Sequence, residues 1–151
     1  MEHEWRRGDY VISTDQTKLD LEMISHFLTT SYWAKDISLE RVKRALEHSL
    51  VFGIYRDNRQ VGFARLVTDY ATFAYLDDVF ILEAFRGQGL SIWLLNVIRA
   101  HPDVQGLRRW LLLTADAQGL YQKVGFTAPQ RPERFMEIFI PDTYTQEKNA
   151  L

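Results

Sequence analysis

Arg86, Gly87, Gln88 and Gly89 sit between an apolar run, Val79-Phe80-Ile81-Leu82, and a stretch whose apolar residues Leu90, Trp93, Leu94, Val97 and Ile98 recur at helical spacing. A strand, a glycine-bearing turn and a helix start, in that order, make an anion site. Glycine lets backbone N–H groups converge, and the first helical turn carries unpaired donors and the positive end of the dipole. A pyrophosphate fits such a site, and Arg86 at its mouth adds a fixed positive charge. Two adjacent carboxylates, Asp77 and Asp78, lie just upstream. Neighbouring strand residues point to opposite faces, so one is expected toward a cleft and the other toward the packed side. His3, His26, His48 and His101 are scattered without metal-ligand spacing, so no metal is expected. The chain has no cysteine, which excludes thiolate nucleophiles, disulfides and cysteine-held zinc.

The commoner nucleotide motifs do not fit this turn. Counted from Gly87, the third glycine of G-x-G-x-x-G falls on Ile92, and no Gly-Lys-Ser/Thr of a P-loop is present. The 151 residues suit one domain, 1–151, with 46% hydrophobic and 25% charged residues and a net charge of -2. That balance offers nothing to nucleic acid, which favours a basic face. No apolar run approaches a membrane span, and the opening MEHEWRRGD lacks a signal-peptide core, so a cytoplasmic protein is expected.

Around the turn, periodicity predicts a strand at Tyr10–Ser13, a helix over Leu19–Thr29 capped near Asp20, and a second helix opened by Ser38 with Val42 and Leu46 inward. Between them Thr30–Asp36 breaks the pattern and carries Tyr32 and Trp33. Ser49–Arg56 and Gln60–Thr68 read as strands joined by a hairpin turn at Asp57-Asn58-Arg59, and Phe73–Leu82 as the third strand of the meander. After the helix Leu90–Ala100, Leu107–Leu113 reads as a strand buried on both faces, as in a parallel pairing. Ala117–Val124 is expected as a short helix, Phe135–Ile140 as a last strand and Thr143–Leu151 as a flexible tail. Asp116 reads as the cap of the Ala117 helix, and Arg65, on a strand face with Val61 and Phe63, and Arg134 read as solvated charges or as groups that orient an acidic substrate. The order β-α-α-β-β-β-α-β-α-β describes an α/β fold with a mixed sheet.

Arg86-Gly87-Gln88-Gly89-Leu90-Ser91 resembles the acetyl-CoA motif R/Q-x-x-G-x-G/A of the GCN5-related N-acetyltransferase (GNAT) family, with Ser91 where glycine or alanine is usual. Leu120-Tyr121-Gln122-Lys123-Val124-Gly125-Phe126 resembles the family's LYxxxGF segment. The element order is also that of the family, so the resemblance spans nearly the whole chain. It implies a mixed, mainly antiparallel sheet with a splayed parallel strand pair and flanking helices. It further implies an enzyme that moves acetyl from acetyl-CoA to a primary amine of a small molecule or peptide, by direct transfer in a ternary complex.

Residue by residue, the resemblance assigns the thioester carbonyl to backbone N–H groups of Val79, Phe80 and Ile81. It assigns the pyrophosphate to Gly87, Gln88, Gly89, Leu90, Ser91 and Ile92 beside Arg86. Tyr121 corresponds to the general acid that protonates the departing thiolate, a role a phenol suits. Asp77 and Asp78 are candidates for taking the proton from the ammonium or for binding its charge, with Tyr75 as an alternative. Relatives often carry asparagine where this chain has Thr114, whose hydroxyl can still bond CoA. Tyr32 and Trp33 are expected to cover the amine cleft, as an aromatic wall or as packing for their loop. The resemblance also implies a possible homodimer through Phe135–Ile140. Two other readings remain open: a non-catalytic acyl-CoA-binding or sensor module, and an acetyltransferase acting on protein lysines or N-termini.

Overall fold

A computed structural model describes residues 1–151. Six strands form one sheet in chain order: β1 (Glu4–Arg7), β2 (Tyr10–Ser13), β3 (Leu50–Arg56), β4 (Arg59–Thr68), β5 (Phe73–Ile81) and β6 (Arg109–Leu111). All neighbours are antiparallel except β5 and β6, which run parallel. The β3–β4 turn is made by Asp57 and Asn58, both at positive φ, the pairing a two-residue hairpin requires.

Helices α1 (Leu21–Thr29) and α2 (Leu39–Glu47) start where their caps dictate: Asp20 accepts from the Met23 N–H at 3.1 Å and Ser38 from that of Arg41 at 3.2 Å. They bury Ile24, Leu28, Val42 and Leu46 against Val51, Phe63 and Phe80 on one face of the sheet. On the other face α3 (Leu90–Ala100) buries Leu90, Leu94, Leu95 and Ile98 against Ile12, Phe52, Ile54, Ala64 and Leu66. Consecutive residues Phe63 and Ala64 thus serve different cores, as the period of a strand requires. No helix is long and apolar enough to cross a membrane.

The structure corrects four expectations. A first strand, β1, pairs with β2; its residues Glu-Trp-Arg-Arg carry no apolar alternation that would announce it. β6 is three residues long and partly exposed rather than doubly buried, because it is an edge that leaves β5 after Leu111. Phe135–Ile140 forms no strand: Met136 and Ile138 are about fully exposed, and a strand needs an edge to pair with that this segment does not meet. The last residues are not a loose tail. After the short helix α4 (Gln118–Gln122), Thr143–Asn149 forms α5, which docks through Tyr144 on the α2-side core and through polar contacts. Glu147 accepts from Ser38 at 3.0 Å and pairs with Arg41, while Asp36 accepts from Thr145 at 2.8 Å and Lys148 at 3.0 Å. The element order is therefore β-β-α-α-β-β-β-α-β-α-α.

His101, just past α3, is fully buried beside His3, Trp5 and Phe52, and its Nδ1 accepts from the Asp103 N–H at 3.1 Å. Burial, aided by His3, lowers its pKa from the ordinary 6.5. The folded state thus binds that proton less readily than the unfolded chain, so stability is full above the ordinary value and falls as the pH drops through it. Urea midpoints at pH 8 and pH 5 should differ more for the native chain than for His101→Asn, which keeps the capping acceptor; equal differences would remove His101 from the acid response.

Candidate active site

The site begins with a fault in β5. Pairing runs from Phe63↔Phe80 to Arg65↔Asp77, so two steps along β4 answer three along β5. The extra residue is a bulge, with Asp78 in the left-handed region at φ 55. The Asp77 side chain accepts from the Asp78 N–H at 2.8 Å, which occupies the displaced amide. β5 and β6 pair only over Phe73–Tyr75 and Arg109–Leu111, and beyond that they part. Leu82 donates its N–H to Val61 of β4 at 2.8 Å; by alternation the Phe80 amide also faces β4, and those of Val79 and Ile81 face the gap.

The bulge overturns the expectation that Asp77 and Asp78 point apart. Both meet one guanidinium: Arg65 donates through Nη2 to Asp77 at 2.9 Å and through Nε to Asp78 at 2.9 Å. Its Nη1 donates to Ser49 Oγ at 3.2 Å. Arg65 is therefore an interior ion-pair centre and not a solvated charge. Two carboxylates against one guanidinium leave one negative charge in excess. Burial, with Asp78 adding to it and Arg65 opposing, raises the pKa of Asp77 above the usual carboxylate range. Asp78 is 7% exposed and its second oxygen accepts from the Trp33 indole at 2.8 Å.

The 30–36 loop lies across the gap. Trp33 holds the β5 side through Asp78, and the Tyr32 hydroxyl accepts from the Ala115 N–H at 3.2 Å on the β6 side. The two rings meet edge to face with centroids 5.2 Å apart. Below them Phe27 stacks on Phe80 at 3.9 Å. Tyr121, on α4, packs edge to face against Phe126, and its hydroxyl makes no hydrogen bond within the protein. Burial, with Tyr32 and Asp77 nearby, pushes its pKa up to about 12. Thr114, not Asp116, closes the turn into α4, accepting from the Ala117 N–H at 3.1 Å. Its hydroxyl is thus already committed as an acceptor.

At the far end of β5 the glycine turn has the expected form. Gly87 and Gly89 take φ of 81° and 80°, where a side chain is strained. Nothing lies within 4 Å of where a Cβ on Gly87 would stand, so the backbone there is open to a ligand. Trp93 is the first residue of α3 whose amide finds a helical carbonyl, on Gly89, which leaves the N–H groups of Leu90, Ser91 and Ile92 free for an anion. Arg86 is folded back, its Nε donating to the Ile81 carbonyl at 2.8 Å. Arg7 of β1, which no sequence motif marks, braces the turn by donating to the Gln88 carbonyl at 2.9 Å and lies over the Trp93 ring at 5.1 Å. The backbone cradle, the two arginines and the open gap suit a pyrophosphate-bearing thioester.

Comparison with known proteins agrees with this geometry. A profile for the acetyltransferase (GNAT) domain matches residues 47–128. A Gibberella zeae protein named as a provisional acetyltransferase is 35% identical over 142 residues, covering 79% of each chain. A crystal structure from Xanthomonas campestris pv. campestris, described as a provisional acetyltransferase of the GNAT family, is 51% identical with a TM-score of 0.88, covering 90% of this chain and 96% of that one. A Clostridium acetobutylicum acetyltransferase structure with acetyl-CoA shares the fold at 13% identity and a TM-score of 0.63, covering 92% and 96%.

Removing the guanidinium while keeping its bulk, as in Arg65→Met, would leave two carboxylates facing each other without a cation. The variant is expected to lose about 3–5 kcal/mol of stability at pH 8, and less at pH 4.5 as the carboxylates take up protons. Chemical denaturation at the two pH values checks this, and a loss independent of pH would contradict it.

Proposed function

The chain belongs to the GNAT family of acetyltransferases, and from that premise we propose that it transfers acetyl from acetyl-CoA to a primary amine of a small molecule or peptide, directly and in a ternary complex. One observation carries this reading: β5 and β6 part at a bulge whose throat holds an excess carboxylate charge, with an anion cradle at the end of the same strand.

In this reading the amides of Leu90, Ser91 and Ile92 and the turn Gly87–Gly89 bind the pyrophosphate, and Arg86 and Arg7 add positive charge. The thioester lies in the gap, where the Val79 and Ile81 N–H groups polarise its carbonyl. Phe80 serves through its buried ring, since its amide faces β4. The excess negative charge at Asp77 and Asp78 draws the acceptor ammonium. A proton passes from the ammonium to a carboxylate of this pair, directly or through water. The amine nitrogen then bonds the acetyl carbon, and the carbon–sulfur bond breaks as Tyr121 gives its proton to the departing thiolate. The nitrogen's second proton passes, directly or through water, to the phenolate left on Tyr121, which yields the neutral amide and thiol. Because its pKa is about 12, Tyr121 keeps that proton throughout the working range. No cysteine exists to carry an acetyl-enzyme.

A homodimer fits the same reading. Met136, Ile138, Phe139 and Ile140 are exposed on an arm beside the free edge of β6, where Leu113 is exposed as well. Apolar side chains in such number call for a cover, and a second copy offers both an arm and an edge. Sedimentation should show a dimer for the native chain and a monomer for Phe139→Glu; a native monomer at high concentration would end this reading.

For the chemistry, Tyr121→Phe should lower kcat about 10²–10⁴-fold and leave acetyl-CoA affinity by calorimetry unaltered. An unaffected kcat would remove the acid role. Activity should rise with pH through the raised pKa of Asp77, since the base form is needed. Asp77→Asn should abolish that limb in kcat/KM; a limb that persists assigns the proton to Asp78 or water.

A further inference from the structure

A second cavity, of about 410 Å³, opens on the same face of the sheet as Arg65. Val67 and Arg65 of β4 form one side, and Val42, Ala45 and Leu46 of α2 the other. Tyr144 of α5 closes it, and Asp78 stands at its inner end. The throat of the proposed active site is therefore also the floor of this cavity.

From this geometry we infer that the cavity holds the body of the acceptor, and that the acceptor is a monoamine with a compact apolar body, of the arylalkylamine or alkylamine class. This inference rests on the acetyl-transfer reading above. The ammonium meets Asp78 at the inner end, where Asp77 shares the same guanidinium, and the rest of the molecule lies between α2 and β4 beneath Tyr144.

Three features set the class. The walls between throat and rim are aliphatic and aromatic apart from the Ser49 hydroxyl, which already accepts from Arg65 and donates to the Ala45 carbonyl, so a sugar or a hydroxylated amine would leave its polar groups without partners. The volume matches about a dozen non-hydrogen atoms, at roughly 30 Å³ for each atom the size of a water. The rim carries the guanidinium groups of Arg41 and Arg44, with Glu147 as the facing carboxylate already bound to Arg41 and Ser38, so Arg44 leaves one positive charge in excess. A second ammonium at that rim meets like charge, which counts against polyamines and lysine-rich peptides. Tyr144 lies under the Arg41 guanidinium at 5.5 Å, so the docked C-terminal helix supplies the wall that limits the acceptor's size.

The test uses the full chain with acetyl-CoA and follows thiol release with 2-phenylethylamine, methylamine and spermidine. The native chain should favour 2-phenylethylamine over spermidine at least 100-fold in kcat/KM. Ala45→Phe fills the cavity and should reduce the ratio of 2-phenylethylamine to methylamine at least tenfold; Val67→Phe, on the opposite wall, does the same if the first variant fails to fold. Preference for spermidine, or a ratio that neither variant moves, overturns the inference. Calorimetry with 2-phenylethylamine in the presence of CoA separates it from the reading it rests on. Binding that Ala45→Phe abolishes, without any turnover, would sink the transfer reaction and keep the pocket. Absence of both binding and turnover would sink the pocket.

Discussion

Everything near the site depends on one buried cation. Arg65 occupies a position on β4 between Phe63 and Val67, facing α1 and α2, where a regular strand would place an apolar side chain. A guanidinium there must be neutralised, because an unpaired buried charge costs far more than any packing gain around it. Asp77 directly opposite supplies one carboxylate. The second comes from the next residue, which a regular strand would turn to the other face. The bulge at Asp78 solves this by adding a residue, and the left-handed conformation it forces on Asp78 is held by Asp77, Arg65 and Trp33 together. The backbone strain at Asp78 is thus matched by charge pairing, and it lies just beyond the point where β5 parts from β6.

The two cores divide the work. The α3 side packs Leu90, Leu94, Leu95 and Ile98 on the sheet, so the amides at the start of α3 are held against a rigid body. An anion bound there meets donors that need no rearrangement, which is the condition for a helix start to bind well. The α1–α2 side is built from Phe80, Phe27 and the aliphatic side chains of both helices, and its polar groups gather around Arg65. Phe80 joins the two halves: its ring serves one core while the flanking amides of Val79 and Ile81 turn to the gap.

What could be read from the sequence was what depends on near neighbours. The caps Asp20 and Ser38, the hairpin at Asp57-Asn58 and the glycine turn at Gly87 and Gly89 are each fixed by a few adjacent residues, and all appear as expected. A bulge in this strand is implied by the family resemblance, but its place at Asp78 was not legible in the neighbouring residues, because the partner Arg65 lies on another strand. A signal did exist: Phe63-x-Arg65-x-Val67 places a charge on an inward-facing position, and an adjacent Asp-Asp follows on the next strand. Arg7 escaped notice because its target, the Gln88 carbonyl, is a backbone atom with no side-chain signature. Helix α5 escaped because it buries no residue and has no apolar stripe to give it a period. Phe135–Ile140 misled in the opposite direction, since strand-prone residues do not make a strand without an edge to bond.

The manner in which α5 is held bears on how the acceptor side works. Apart from Tyr144, which packs on the core and under Arg41, its contacts are ion pairs and hydrogen bonds to Asp36, Ser38 and Arg41, partly exposed and screened by salt. Of the walls contributed by α2 and β4, Val42 and Leu46 belong to the packed core while Val67 is exposed at the mouth. The wall contributed by Tyr144 rests on that core and under Arg41, at the end of a helix held otherwise by surface contacts. Arg65 and Asp78 line the inner end of the same cavity, so any occupant meets the charge centre that fixes the bulge, and the proposed selectivity and the proposed chemistry share one set of residues.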